Sequence, residues 1–396
     1  MSIFIWGAAA LLAAPAAPAA VVSSPLTLDQ TLAAARPGPA ELAVQTELAR
    51  ARHLAAATAG RLADGWSLAF SGGPRRAEDD SGTDLAAEVE VPLLAGGDAR
   101  AELLRHFARV ENLLPRAARA ETREALAATY AEAWAAQELE SLRAEALGAA
   151  DAWLAEARGR VEAGAEAPFE ADLVAIERQR AATALRAARA ARLVAWGALA
   201  ATAALPEEPV PLVAPPVSAP PDARSAQSQL ASALALHAID ARAALAHSAL
   251  DLQRTRDESR WSLRSTLARE GEEEIAHVGV AYRIPRANER ELAQRAAEAE
   301  RNAVTRDAEL ARAGLFSRLE SALVEAGGEP ADLAVEAIAR TRGALTARLL
   351  EGKSRPSEVL PLRLQLLAAE EDAIERRATL ARATATLERL LTEVQP

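Results

Sequence analysis

Apolar side chains recur at intervals of four and three residues along most of this chain. Leu103, Phe107, Val110 and Leu114 follow that spacing, and so do Leu126, Tyr130, Ala133 and Gln137, with Trp134 beside them. The period is helical and heptad-like. It predicts one long helix over residues 98–163, roughly 100 Å long at ~1.5 Å per residue. Pro115 should kink or locally unwind it. Thr27-Leu28-Asp29-Gln30 reads as a capping box opening an earlier helix. The stretch ARPGPAEL interrupts that helix before a helical pattern resumes to about residue 62.

Between the helical stretches the period changes. Trp66, Leu68 and Phe70 alternate with Ser67, Ala69 and Ser71. Leu85, Ala87, Val89 and Val91 alternate with Ala86, Glu88 and Glu90, and Pro92 closes the run. This is strand spacing, with GGPRRAEDDSGTD as a polar loop between the two strands. After residue 164 a second helix is expected over 168–203. A proline-dense segment, LPEEPVPLVAPPVSAPPD, follows as an extended linker over 205–222.

The same order then recurs. A helix is predicted to about residue 260. Trp261, Leu263, Ser265 and Leu267 alternate with polar neighbours, and REGEEE forms a charged turn. Ala276, Val278, Val280, Tyr282 and Ile284 make a second alternating run, closed by Pro285. A long helix reaches residue 350, interrupted at EAGGEPAD, and a last helix runs to about 392. The turns repeat in detail. RVEAGAEAPFEAD and RLLEGKSRPSEVL carry Arg four before Gly, Pro four after it and Glu six after it, 188 residues apart throughout. The domain reading is therefore a first repeat over 21–204, the proline linker over 205–222 and a second repeat over 223–396.

Composition narrows the possibilities. Half the residues are hydrophobic but only 3% are aromatic, which suits long Ala- and Leu-rich helices packed at close range. Charge is mixed, with a net of −11, so there is no basic face for nucleic acid. No cysteine is present, which excludes disulfides, thiolate metal sites and an acyl-anchored cysteine. Residues 1–20, an apolar run ending in small residues, read as a signal peptide. Beyond them no stretch is long and apolar enough for a helical membrane span.

Each strand pair carries a bulky apolar face and a small or charged one, and in this reading each lacks a third strand. Four strands cannot close a barrel, and an open sheet edge is unstable in lipid. Three chains giving four strands each would close twelve. Glu88, Glu90, Arg264, His277 and Arg283 would then face a wet lumen, with Val, Leu and Phe toward lipid. Trp66, Trp261 and Tyr282 would form an interfacial girdle. The competing reading is a periplasmic structural or adaptor-like coiled-coil protein with two hairpins.

Several stretches resemble the TolC-like outer membrane efflux family. They are LTLDQTL with GPAELAVQTELARAR, VPLLAGGDARAEL, YAEAWAAQELESL and the two turns, taken in order and in duplicate. The resemblance implies a mostly α protein with a small β part. It implies a homotrimer whose long helical hairpins form an α-barrel crossing the periplasm. A twelve-stranded β-barrel would sit in outer-membrane lipid, four strands from each chain. Implied partners are a periplasmic adaptor (membrane fusion) protein and an inner-membrane efflux pump. The stretch IPRANERELAQRAAEAE resembles the cobalt–zinc–cadmium resistance branch and points to heavy-metal cations as the pump's substrate. Family members often carry two acids three residues apart after the second turn glycine. Here the first is Glu358 and the second position is Pro361.

Arg160, Gly164 and Pro168, with Arg348, Gly352 and Pro356, are the candidate adaptor-docking tips. The glycines also suit helix C-termini, the prolines first turns and the arginines the helix dipole. Glu358 is a candidate pore-gate ring, and Glu170 a weaker one. Gly352-Lys353-Ser354 is not a phosphate loop, because position 347 is Ala and no strand precedes it. The five histidines are scattered, so no metal site and no cofactor are expected. No catalytic constellation stands out, and the chain reads as a passive duct rather than an enzyme.

Overall fold

The Thr27 hydroxyl accepts a hydrogen bond from the Gln30 amide at 3.3 Å, and the Gln30 side chain accepts one from the Thr27 amide at 2.9 Å. This is the expected capping box, and it opens α1 (Leu28–Ala33). The chain continues as α2 (Pro39–Ala59), β1 (Ser67–Ala77), β2 (Asp80–Pro92), α3 (Gly97–Glu162) and α4 (Pro168–Thr202). It then forms α5 (Ala223–Ala231), α6 (Leu234–Glu258), β3 (Trp261–Glu270), β4 (Glu273–Tyr282), α7 (Ala287–Ala326), α8 (Asp332–Leu350) and α9 (Pro356–Leu390). The computed structural model describes residues 25–59, 67–77, 80–92, 97–165, 167–258, 261–270, 273–282, 287–327, 332–351 and 356–394. Residues 1–20, expected to be a signal peptide, lie outside them, as do Trp66, Arg283, Pro285 and Gly352.

Three expectations change. Pro115 does not unwind α3, which runs unbroken through it for 66 residues. The helix expected after the linker is two, α5 and α6, parted where Ala233 pairs antiparallel with Glu393 and the Leu234 amide donates to the Thr392 carbonyl at 2.8 Å. The polar loop over 72–84 is instead mostly strand. Gly72 pairs with Leu85, Pro74 with Thr83 and Ala77 with Asp80, so the ladder runs through most of the expected loop. Pro74 lies in β1, the outer strand of the sheet within one chain, where a residue without an N–H disturbs the ladder least.

Residues 25–36, with 129–215 and 332–378, form one compact unit. Residues 37–128, 216–331 and 379–396 form another. In the first, Trp153, Leu154 and Ala157 of α3, Val174 of α4 and Val359 of α9 make a buried cluster, bordered by Leu345 of α8. In the second, Val44 and Leu48 of α2, Val110, Leu113 and Leu114 of α3, and Leu234, Ala238 and Ala241 of α6 pack together. Alanine supplies many of these contacts. Its short side chain lets helices approach closely, at little entropic cost.

The linker is pinned rather than loose. Leu26 pairs with Leu212 in a short parallel bridge. The Gln137 amide clamps Leu212 from both sides, accepting from its N–H at 2.8 Å and donating to its carbonyl at 3.1 Å. The Tyr130 hydroxyl lies 2.7 Å from the carbonyls of both Leu26 and Val213, so its one proton serves two acceptors. Burial pushes the Tyr130 phenol up to about 12. A glutamine in a heptad core position is thereby explained: it holds backbone that prolines leave short of donors.

Candidate membrane interface and tip turns

The four strands form a single antiparallel sheet in the order β1-β2-β3-β4. The two ribbons are therefore not isolated, as the sequence suggested. β2 pairs with β3 from Leu85–Arg269 to Pro92–Ser262, and only β1 and β4 are edges. No local signal reveals this pairing, because its partners lie more than 150 residues apart.

Register assigns every described strand residue to a face, since direct partners share a side. Leu68, Val89, Ser265 and Val278 form one row, and Phe70, Ala87, Leu267 and Ala276 the next. Val91, Leu263 and Val280 form a third row, on the side toward Tyr282. This face is apolar and open. Phe70 is 75% exposed, Val278 74% and Leu267 63%. From Ala276 to Tyr282 it runs roughly 20 Å along the strand. β3 and β4 have 10 residues each, which matches the ~9–11 of a tilted membrane-spanning strand. Tyr282, in register with Trp261, closes this face at one end. Water disfavours so continuous an apolar patch, so the face belongs against lipid or another apolar surface.

The opposite face carries Glu88, Glu90, Arg264, Thr266 and His277, as the alternation predicted. Arg264 lies 2.7 Å from Glu88 and 3.5 Å from Glu90, bridging both carboxylates. The Ser262 hydroxyl donates to Glu90 at 2.5 Å. Glu88 and Glu90 are half-buried and Arg264 is exposed, whereas Ser262 is buried.

The first tip turn is built by backbone. Gly164 has φ +71, the left-handed conformation open to glycine. The Ala165 amide donates to the Arg160 carbonyl at 2.8 Å, and the Gly164 amide to the Val161 carbonyl at 3.0 Å. This pair of bonds is a Schellman closure of α3. The Arg160 side chain turns back to Glu156, one helical turn earlier, at 3.0 Å. Pro168 occupies the first turn of α4, behind an extended Ala167 that offers no side-chain cap. Glu170 is buried, while Phe169, Leu173 and Ile176 of the same helix are exposed.

The second turn is described on both flanks of Gly352. The Glu351 amide donates to the Ala347 carbonyl at 2.9 Å, matching the Ala163 to Gly159 bond of the first turn. Arg348 lies in the last turn of α8 and Pro356 begins α9. Glu358 is exposed in the first turn of α9, and the helix continues through Pro361. The buried cluster at Trp153 joins the ends of α3, α4, α8 and α9, so both turns belong to one four-helix end.

A buried charge pattern on α9 was not anticipated. Arg363 and Glu370 are 7% and 5% exposed, seven residues apart on the side packed against α3. The Arg363 guanidinium lies 3.9 Å above the Trp153 ring. Arg342 of α8 bridges Glu145 at 2.8 Å and Glu370 at 3.1 Å. Burial raises the Glu370 carboxyl above its ordinary value, against the pull of Arg342. Arg and Glu at heptad core positions were the available signal.

No protein-family model and no curated protein matches the chain. Its fold nevertheless matches solved channels. The outer membrane protein VceC of Vibrio cholerae superposes with a TM-score of 0.72 at 14% identity, covering 92% of this chain and 96% of that one. The Campylobacter jejuni CmeC outer membrane channel gives 0.70 at 13% identity, covering 92% and 85%. The open state of the Neisseria gonorrhoeae MtrE outer membrane channel gives 0.62 at 16%, covering 92% and 87%. The chain shares the fold of these outer membrane channels over nearly its whole length.

Proposed function

We propose that this protein is the outer-membrane exit duct of a tripartite efflux pump. The observation that carries the reading is the two-faced sheet with two open edges. One face is apolar and exposed across every strand, and the other holds the Glu88–Arg264–Glu90 cluster. Within one chain β1 and β4 keep unpaired backbone groups, which lipid does not tolerate. An even number of antiparallel strands sets β4 of one copy antiparallel to β1 of the next. Three copies then close a twelve-stranded barrel with no edge left. Its polar face lines a wet lumen, and its apolar face meets lipid. The fold shared with outer membrane channels supports the same reading.

In this reading the helices extend into the periplasm as a trimeric α-barrel. The turns at Arg160, Gly164, Pro168, Arg348, Gly352 and Pro356 dock a periplasmic adaptor, which couples the duct to an inner-membrane transporter. That transporter supplies the energy, and the duct is passive and does no catalysis. The exposed Glu358 supplies a threefold acidic ring at the entrance; Glu170, the weaker candidate, is buried within the single chain. Three close carboxylates would attract cations. Heavy-metal cations are the substrate class to which the 284–300 resemblance points. Docking opens the tips like an iris.

The test is the state of the protein in cell fractions. Outer membranes should contain a trimer that migrates as a compact species until heated. A monomer in the soluble fraction would end the proposal.

A further inference from the structure

The side of α9 that packs on α3 is apolar at Val359 and Leu367, and ionisable at Arg363 and Glu370, all four being buried. Arg377 continues the seven-residue spacing, its guanidinium 5.6 Å from the Trp134 ring. The seam is thus a ladder of charge, with an indole of α3 under each cation. Polar groups at such positions hold a register but lower stability.

Glu370 has an ion pair with Arg342, and Arg363 differs from it. Among the described residues no carboxylate lies within ion-pair distance of Arg363. Its contacts are the Trp153 ring and a 3.4 Å donation to the Ala146 carbonyl. The charges acting on it are those of Arg342, Glu177 of α4 and Glu370, the two carboxylates opposing the Arg342 cation. Burial, and then the Arg342 cation, bring the Arg363 guanidinium down to about 10. Its stacking partner pays too: the Trp153 indole N–H is buried with no acceptor. A desolvated cation that lacks a counter-ion costs more than a leucine of similar reach, and such sites are often stabilised by an apolar replacement.

We propose that Arg363 seated on Trp153 is a built-in breakpoint of the α3–α9 seam, which lets α9 part from α3 at the tips at low cost. Below it the cluster of Trp153, Leu154, Ala157, Val174 and Val359 holds the helix ends. Above it Leu142, Ala146 and Leu367 hold the next layer. The rung between them returns to water with least loss, because hydration offsets the separation of a cation that has no carboxylate within ion-pair distance among the described residues. The inference rests on the duct reading and assigns its opening step to one residue.

The chain has no cysteine, so Ala347→Cys gives one spin label per copy, on the exposed last turn of α8. Distances between labels in detergent-purified trimers report the width of the tips, and bilayer recordings report open occupancy. Arg363→Leu should shift the distances to shorter values, lower open occupancy about tenfold and raise the melting temperature of the trimer. Arg363→Met should act in the same direction, which guards against a packing fault peculiar to leucine. Arg363→Lys keeps a cation and should open as the unsubstituted protein does. Trimers whose Leu and Met variants open as often as before, or more often, would overturn the breakpoint and leave the duct standing. Labels that show no coupling between copies would overturn the duct and the breakpoint together.

Discussion

Val278 and His277 are neighbours on β4 with opposite surroundings, and they offer a sharp test of the two-faced sheet. Val278 lies in the row of Leu68, Val89 and Ser265, on the apolar face and 74% exposed in the single chain. His277 points to the face of Glu88 and Arg264. Val278→Arg places a cation near the middle of the apolar band. If that band meets lipid, the cost is about 2–4 kcal/mol. That is roughly one and a half to three powers of ten in the ratio of folded to unfolded protein. His277→Arg, toward the lumen, should change stability by less than about 1 kcal/mol. If the apolar face met only water, an exposed Val278→Arg would fall within about ±0.5 kcal/mol. The assay is urea unfolding of trimers in lipid vesicles, read as loss of the heat-modifiable band and extrapolated linearly to zero urea. A Val278→Arg cost no larger than that of His277→Arg would refute the assignment of faces.

Two further outcomes are expected. Gly164→Ala should destabilise the end of α3 by about 1–2 kcal/mol, because alanine resists the left-handed backbone at φ +71 while nothing within 4 Å obstructs its Cβ; hydrogen exchange of the last α3 amides would measure it, and unchanged protection would contradict the strain argument. For Glu370, a folded-state pKa raised above the ordinary 4.5 means the folded protein holds this proton more tightly, so the group's contribution is full below 4.5 and lost as pH rises through the folded value. Glu370→Gln should therefore raise the melting temperature at pH 7, with Arg342 still paired to Glu145, and the advantage should fade as pH falls toward 4; a lower melting temperature at pH 7 would show that the Arg342–Glu370 pair outweighs the burial.

What the amino-acid order determined by itself is local. The capping box at Thr27, the left-handed Gly164, and Pro168 and Pro356 at helix starts each act within about one turn of backbone. Heptad spacing marked α3 and its buried side, and two-residue alternation marked which strand residues share a face. Those features survive in the structure because only neighbouring residues decide them.

Tertiary structure decided what distant residues do to one another. The Gly-Gly-Pro stretch of β1 is strand because it pairs with Leu85, Asp84 and Thr83, and pairing overrides the turn preference of those residues. The two ribbons became one sheet through β2 and β3, whose meeting no short-range pattern encodes. Gln137 reads as a flaw in a heptad until the linker backbone is set against it. Arg363 and Glu370 read as surface charge until α3 and α8 cover them. Periodicity assigns a face to each residue, but which partner meets that face depends on contacts between segments far apart in the chain, and those exist only once the chain has folded.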